Sequence, residues 1–159
     1  MTLKPRSAEE NARLEAALIE LFEQKITFNQ VLGLKIAAAR PGDVRATFEM
    51  KPELVGHYQH GRLHGGVISA VLDAMGGLAL MVGIAERHPH DDTNQVMHRF
   101  ARMGTIDLRV DFLRQGIGSH FVATAEPTRL GGRIGSTQMR LVNQEGTLIA
   151  TAAAAYVVA

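Results

Sequence analysis

The longest apolar run of the chain is GRLHGGVISAVLDAMGGLAL, Gly61–Leu80. From Gly65 it reads as a helix that is hydrophobic on nearly every side, interrupted only by Asp73. The apolar stretch continues to Ala85, long enough to cross a bilayer. A carboxylate at its centre costs about 2.5–3.5 kcal/mol in that setting, and its glycines weaken a span further. The better reading is a central helix buried inside a water-soluble fold. A helix of this kind must be covered on most sides, and the flanking sequence has to supply the cover.

Working outward, residues 7–24 read as an N-terminal helix. Ser7 and Glu10 have capping-box spacing, and Leu14, Leu18, Leu21 and Phe22 form one apolar stripe. Residues 31–39 and 44–50 read as strands parted by the turn RPGD. Residues 51–63 form a loop. After the central helix, residues 86–103 are polar and irregular, with a short helix starting near Asn94. In TIDLRVDFL, Ile106, Leu108, Val110 and Phe112 alternate with Asp107, Arg109 and Asp111. That is a strand with one buried and one wet face. Strands over 121–127, 134–142 and 148–158 follow, separated by glycine-bearing turns. The alanine-rich last strand leaves room for a bulky element against it. Six strands segregated from two long helices predict an α+β fold. Its antiparallel six-strand sheet curves around the central helix, and residues 1–27 form a helical extension to a domain over 28–159.

The totals exclude several classes of function. Seventeen basic against sixteen acidic side chains give a net charge of +1, so no basic field marks a nucleic-acid partner. There is no cysteine, hence no disulfide, thiolate nucleophile or cysteine-based metal site. With an N-terminus that lacks the apolar core of a secretion signal, this predicts a cytoplasmic protein without a membrane partner. HPHDD at 88–92 and the trio His57, His60 and His64 resemble metal ligands in type but lack a well-spaced set. No metal is expected.

Chemistry concentrates at the start and middle of the central helix. His64-Gly65-Gly66 lies at the loop-to-helix junction, where the first backbone N–H groups lack helical partners and the dipole is positive. Such an end can hold a developing oxyanion; the plainer reading is a tight turn into the helix, and spacing alone favours it. Gly65, Ser69 and Asp73 share one stripe at i, i+4 and i+8. Asp73 reads equally as a base or nucleophile and as a structural carboxylate. Eight residues of helix separate Gly65 from Asp73 by about 12 Å, whereas a catalytic group works within hydrogen-bond reach. If both are catalytic, Gly65 of one chain must meet Asp73 of another, which predicts a twofold dimer.

The paired motif, His-Gly-Gly with an acid nine residues after the histidine, resembles the hotdog-fold acyl-CoA thioesterases of the 4-hydroxybenzoyl-CoA and phenylacetate-pathway type. GTIDLRVDFLRQG is similar to the strand that follows in that family, and the resemblance spans roughly residues 28–158. The insert before RMGTIDLRVD resembles a bacterial subgroup acting on medium- and long-chain acyl-CoA. The resemblance implies hydrolysis of a fatty acyl-CoA to free acid and CoA, with CoA part of the substrate and no separate cofactor. It implies Asp73 as base or nucleophile, the Gly65 amide as the carbonyl-polarising donor, His64 shaping the site and Thr105 placing the water. The family's loop amide falls on Tyr58 here; its neighbour Gln59 is the expected replacement. Gly66 and Ser69 would line the substrate, Arg114, Arg129 and Arg133 would meet the CoA phosphates, and Met75, Leu78, Met81 and Val82 the acyl chain. Core packing and solvated surface charge explain the methionines and arginines as well. The implied partners are the acyl-CoA and a second copy of the chain, with dimers able to pair into a tetramer. Alternatives are an aryl-CoA thioesterase, a hotdog hydratase, or a non-catalytic acyl-CoA sensor.

Overall fold

In the computed structural model, which describes residues 4–159, the apolar run forms helix α3 (Gly65–Arg87). A single six-stranded antiparallel sheet curves around it. In chain order the strands are β1 (Lys35–Arg40), β2 (Asp43–Glu49), β5 (Gly104–Phe112), β6 (His120–Leu130), β7 (Ile134–Asn143) and β8 (Leu148–Val157). A two-stranded hairpin, β3 (Val55–His57) and β4 (Arg62–Leu63), precedes α3. The spatial order of the large sheet is β1-β2-β6-β7-β8-β5. This is the hotdog arrangement expected of a helix that cannot face water. Leu72, Met75, Leu78 and Leu80 of α3 are wholly buried, each contributing about 1.5–3 kcal/mol by removal from water.

The alanines of β8 do what their size suggests. Ala150, Ala152 and Ala154 are buried on the helix side, while Thr151, Ala153 and Ala155 point the other way. Small side chains let α3 lie close to the sheet. Tyr156 is the one large residue of that inner row, and its hydroxyl would stand 2.2 Å from a Cβ placed on Gly76. A larger residue at 76 cannot enter without displacing the Tyr156 or Thr137 side chain.

Three expectations need correction. Val31 and Leu32, expected to begin a strand, instead end a helix, α2 (Thr27–Leu32). Gly33, with φ 71°, ends it in the left-handed conformation that glycine adopts without strain, so β1 begins only at Lys35. The first helix, α1 (Ala8–Glu20), has half a capping box. Ser7 Oγ accepts the Glu10 N–H, but the Glu10 carboxylate accepts the Thr93 N–H at 2.8 Å instead of returning to Ser7. The complete box lies at α4 (Thr93–Arg99), between Asp92 and Gln95. The loop before α3 contains the β3–β4 hairpin.

Two features of the edge strand β5 bear on function. A bulge between Thr105 and Asp107 sets Thr105 opposite Tyr156 on the inner face and leaves Ile106 out of the pairing. Ile106 is therefore 51% exposed and does not share the buried row. Phe112 is on the inner face but 55% exposed, because no strand among the described residues pairs beyond β5. The N-terminal helix is built into the same core through Leu14, Leu18 and Phe22. Arg6 fastens its start to the end of α3, donating to the carbonyls of Ala85, His88 and Asp91.

Candidate active site

Asp73 lies near the middle of α3 and is half-buried, not enclosed as its surroundings in the sequence suggest. Its Oδ1 accepts a 2.8 Å hydrogen bond from Thr105 Oγ1. The β5 bulge makes this contact, because it turns Thr105 inward at the level of Asp73. Tyr156 Oη donates to the main-chain carbonyl of Asp73 at 2.8 Å. Burial, then the nearby Asp73 charge, push the Tyr156 phenol far above its ordinary value. The phenol stays protonated and remains a donor. Asp73 is thus held at its backbone by Tyr156 and at one carboxylate oxygen by Thr105, and Oδ2 has no hydrogen-bond partner among the described residues.

At the start of α3, His64 is the N-cap residue, and its Nδ1 accepts the Gly66 N–H at 2.8 Å. Nδ1 is therefore the ring nitrogen without hydrogen. With the Gly66 donor used internally, the Gly65 N–H has no acceptor among the described residues. Ser69 turns its hydroxyl back onto the Gly65 carbonyl at 2.9 Å. The Phe112 ring flanks Gly65, with its edge 3.4 Å from where a Cβ would stand.

The remaining expected residues are spread over the molecule. Tyr58 and Gln59 occupy the tip of the β3–β4 hairpin, which abuts the helix start where Gly56 meets His64. Tyr58 is 86% exposed, and Gln59 Nε2 donates to its hydroxyl at 3.3 Å. His57 stacks on both Tyr58 and His60. Arg114, just past β5, donates to the Leu148 carbonyl. Arg129 and Arg133 are exposed at the β6–β7 turn, near the far end of α3, where Arg87 binds the carbonyls of Leu130 and Gly131. Arg129 and Arg133 share that turn, whereas Arg114 sits by Leu148 at the opposite end of β8.

Beside Asp73 opens a cavity of about 290 Å³. Asp73, Thr105 and Tyr156 give it a polar end; the rest of the wall is largely apolar. Of the four residues expected along an acyl chain, only Met81 lines it. Met75 and Leu78 are core residues, and Val82 faces other cavities. Sequence reasoning missed Tyr156 and the contribution of Phe22, Ile26, Phe28 and Asn29 from the N-terminal segment. Tyr156 carried a faint signal, as a lone aromatic in an alanine row. Larger cavities of about 610, 570 and 540 Å³ do not include Asp73. In the largest, Asp111 is paired with Arg109, and Asp43 with Arg40 and Arg45.

Comparison with known proteins gives a consistent picture. The family model of the thioesterase superfamily matches residues 60–150, the span from the hairpin tip to the last strand. The medium/long-chain acyl-CoA thioesterase YigI of Salmonella typhimurium is 37% identical over 139 residues, covering 87% of this chain and 90% of that protein. YigI of Escherichia coli strain K12 matches to the same extent. A crystal structure from Shewanella oneidensis, described as related to the thioesterase superfamily, superposes with a TM-score of 0.90 at 35% identity. It covers 97% of this chain and all of that one.

Proposed function

The chain belongs to the thioesterase superfamily, and from that premise we propose how its geometry hydrolyses an acyl-CoA. It is a thioester hydrolase that converts medium- and long-chain acyl-CoA to free acid and CoA. The observation that carries the mechanism is the Asp73–Thr105 pair at the polar end of an apolar cavity.

The thioester carbonyl is polarised by the Gly65 N–H at the positive end of α3, where backbone donors act without reorganising. Asp73 works on the carbonyl carbon, either by taking a proton from the attacking water or by attacking it directly. In the first route, Thr105 fixes the carboxylate so that Oδ2 meets the water. The water oxygen bonds to the carbonyl carbon, the oxyanion collapses, the C–S bond breaks, and the sulfur takes the proton from Asp73, so that CoA leaves as the thiol. In the second, Asp73 Oδ2 bonds to the carbonyl carbon, the oxyanion collapses with loss of the CoA thiolate to leave an acyl–Asp73 anhydride, and water cleaves that anhydride to free acid and the Asp73 carboxylate, releasing the proton that the thiolate takes up.

Gly65 and Asp73 are eight residues apart on one straight helix, about 12 Å, so one thioester cannot reach both in the same chain. We infer a twofold dimer in which each site takes Asp73 from one chain and the Gly65 amide from the other. The open edge of β5 supports this: its backbone is unpaired on one side, and Ile106, Phe112 and Leu113 are exposed along it. A cysteine-free chain gains nothing from an oxidising compartment, in keeping with a cytoplasmic location, and a fatty acyl-CoA substrate fits a role in fatty acid metabolism.

The test is CoA release from butyryl-, octanoyl-, palmitoyl- and phenylacetyl-CoA by the purified protein. Octanoyl- and palmitoyl-CoA are the expected substrates, and Asp73→Asn abolishes their turnover. Turnover of the aryl ester alone, or undiminished turnover by Asp73→Asn, overturns the proposal.

A further inference from the structure

The acyl chain has to leave the carbonyl carbon in some direction, and the cavity beside Asp73 offers one. Its lining contains no lysine or arginine, and its only charge is the Asp73 carboxylate. Such a wall repels the phosphates of CoA and accepts an apolar chain. On α3, Ala70, Ala74 and Gly77 stand at i−3, i+1 and i+4 from Asp73, on the flank that faces the cavity. This flank lacks side-chain volume until Met81, one turn beyond Gly77.

The opposite wall comes from the junction of α1 and α2. The last turn of the first helix, Leu21–Lys25, is a π-turn in which the Ile26 N–H reaches back five residues to the Leu21 carbonyl. Ile26 then leaves the helical conformation, and the chain turns into α2. This sets Phe22, Ile26 and Phe28 along the cavity. The junction is fixed from within. The buried Asn29 side chain donates to the Phe22 carbonyl at 3.1 Å, and Glu23 accepts the Ile36 N–H at 2.7 Å.

We propose that this cavity is the acyl-chain slot and that the α1–α2 junction is the apolar wall against which a long acyl chain packs, so that longer chains gain more from it. The proposal rests on the reading of the chain as an acyl-CoA hydrolase and adds to it a specificity-determining element. The slot starts at the carboxylate that acts on the thioester, so the group attached to that carbon enters it. Met81 and Met103 line it with flexible thioether chains, which suit a range of acyl lengths.

The test is the ratio of kcat/KM for palmitoyl-CoA to that for butyryl-CoA in wild type and two variants. Gly77→Leu fills the slot from α3. A Cβ at residue 77 meets only Tyr156 Cε1, at 3.9 Å, so the new side chain has space to enter. Phe28→Ala removes part of the opposite wall at a residue that is 58% exposed, a change the fold tolerates even if Gly77→Leu does not. Both are expected to lower the ratio, Gly77→Leu by about tenfold or more and Phe28→Ala by about fivefold, the scale on which apolar pockets discriminate chain length. Ratios that stay at the wild-type value while turnover persists overturn the slot alone. So does an equal loss on both substrates. A wild-type protein that cleaves no acyl-CoA overturns the hydrolase reading and the slot together.

Discussion

Thr105 and Asp73, thirty-two residues apart in sequence, are joined by a 2.8 Å hydrogen bond from hydroxyl to carboxylate. The bond ties the edge strand to the central helix at the level of the cavity. If Asp73 is the acting group, Asp73→Asn lowers kcat by about 10²–10⁴-fold, the range for a positioned acid–base residue. Thr105→Val keeps Asp73 but frees its carboxylate, and is expected to cost about 10–100-fold, since a hydrogen bond to a charged group contributes roughly 1.5–3 kcal/mol. Unaltered melting temperatures for both variants distinguish a loss of chemistry from a loss of fold.

Neighbouring glycines on α3 make opposite predictions. A Cβ at Gly76 would stand 2.2 Å from Tyr156 Oη and 2.8 Å from Thr137 Oγ1. Gly76→Ala is expected to destabilise the protein by about 1–3 kcal/mol, as overpacking does. A Cβ at Gly77 has its nearest neighbour at 3.9 Å, so Gly77→Ala should stabilise by up to about 1 kcal/mol through helix propensity. Urea unfolding measures both. Adding Tyr156→Phe to Gly76→Ala removes the closest clashing atom and should recover part of the loss.

The N-terminal segment is predicted to be the acid-sensitive part of the fold. Glu10 is held below the ordinary glutamate range first by the Thr93 backbone N–H and then by the Thr93 hydroxyl. Asp91 is lowered chiefly by its hydrogen bond from Arg99. A depressed folded pKa means stability that is present above the ordinary carboxylate value and lost as pH falls below it towards the folded value. Amide exchange in α1 and α4 should therefore accelerate as pH drops through that window, after allowance for intrinsic exchange rates. Glu10→Gln should remove much of the change. At neutral pH, Arg6→Ala should lower stability by about 1–3 kcal/mol, because three carbonyls in the last turn of α3 and the loop after it lose their shared donor.

What was legible in the sequence is local. The all-round apolar helix, its His64–Asp73 spacing and the alternation in most strands can be read within a few turns of chain. Residues 31–34, Val-Leu-Gly-Leu, are a short apolar run that fits strand and helix alike, and only the left-handed Gly33 shows which side of the stop each residue falls on. The β5 bulge breaks the alternation without a marker in the sequence, so Ile106 was expected inside and is found outside. The Thr105 position came from resemblance alone. Tyr156 and the π-turn were missed because their partners, Asp73 and the cavity wall, lie far away along the chain.

The shared site makes the most discriminating prediction, and proline supplies the tool for it. Residue 65 is the first of α3, where a helix tolerates proline because that N–H lacks a helical partner. The preceding His64 has φ −65° and ψ 138°, the extended conformation that a residue before proline favours. Gly65→Pro therefore removes the proposed oxyanion donor with little effect on the helix, although the Phe112 ring must give slightly. Loss of one such donor is expected to cost about 10²–10³ in kcat. Gly65→Pro and Asp73→Asn chains should each be nearly inactive as pure dimers. A mixed dimer carries both lesions in one site and neither in the other. Random assortment of equal amounts then restores roughly a quarter of wild-type activity in a symmetric two-site dimer. Co-expressing the two variants under separate tags and assaying the doubly purified species reads this directly, with about half the wild-type activity expected per mixed dimer. A mixed dimer no more active than its parents would rule out the shared site.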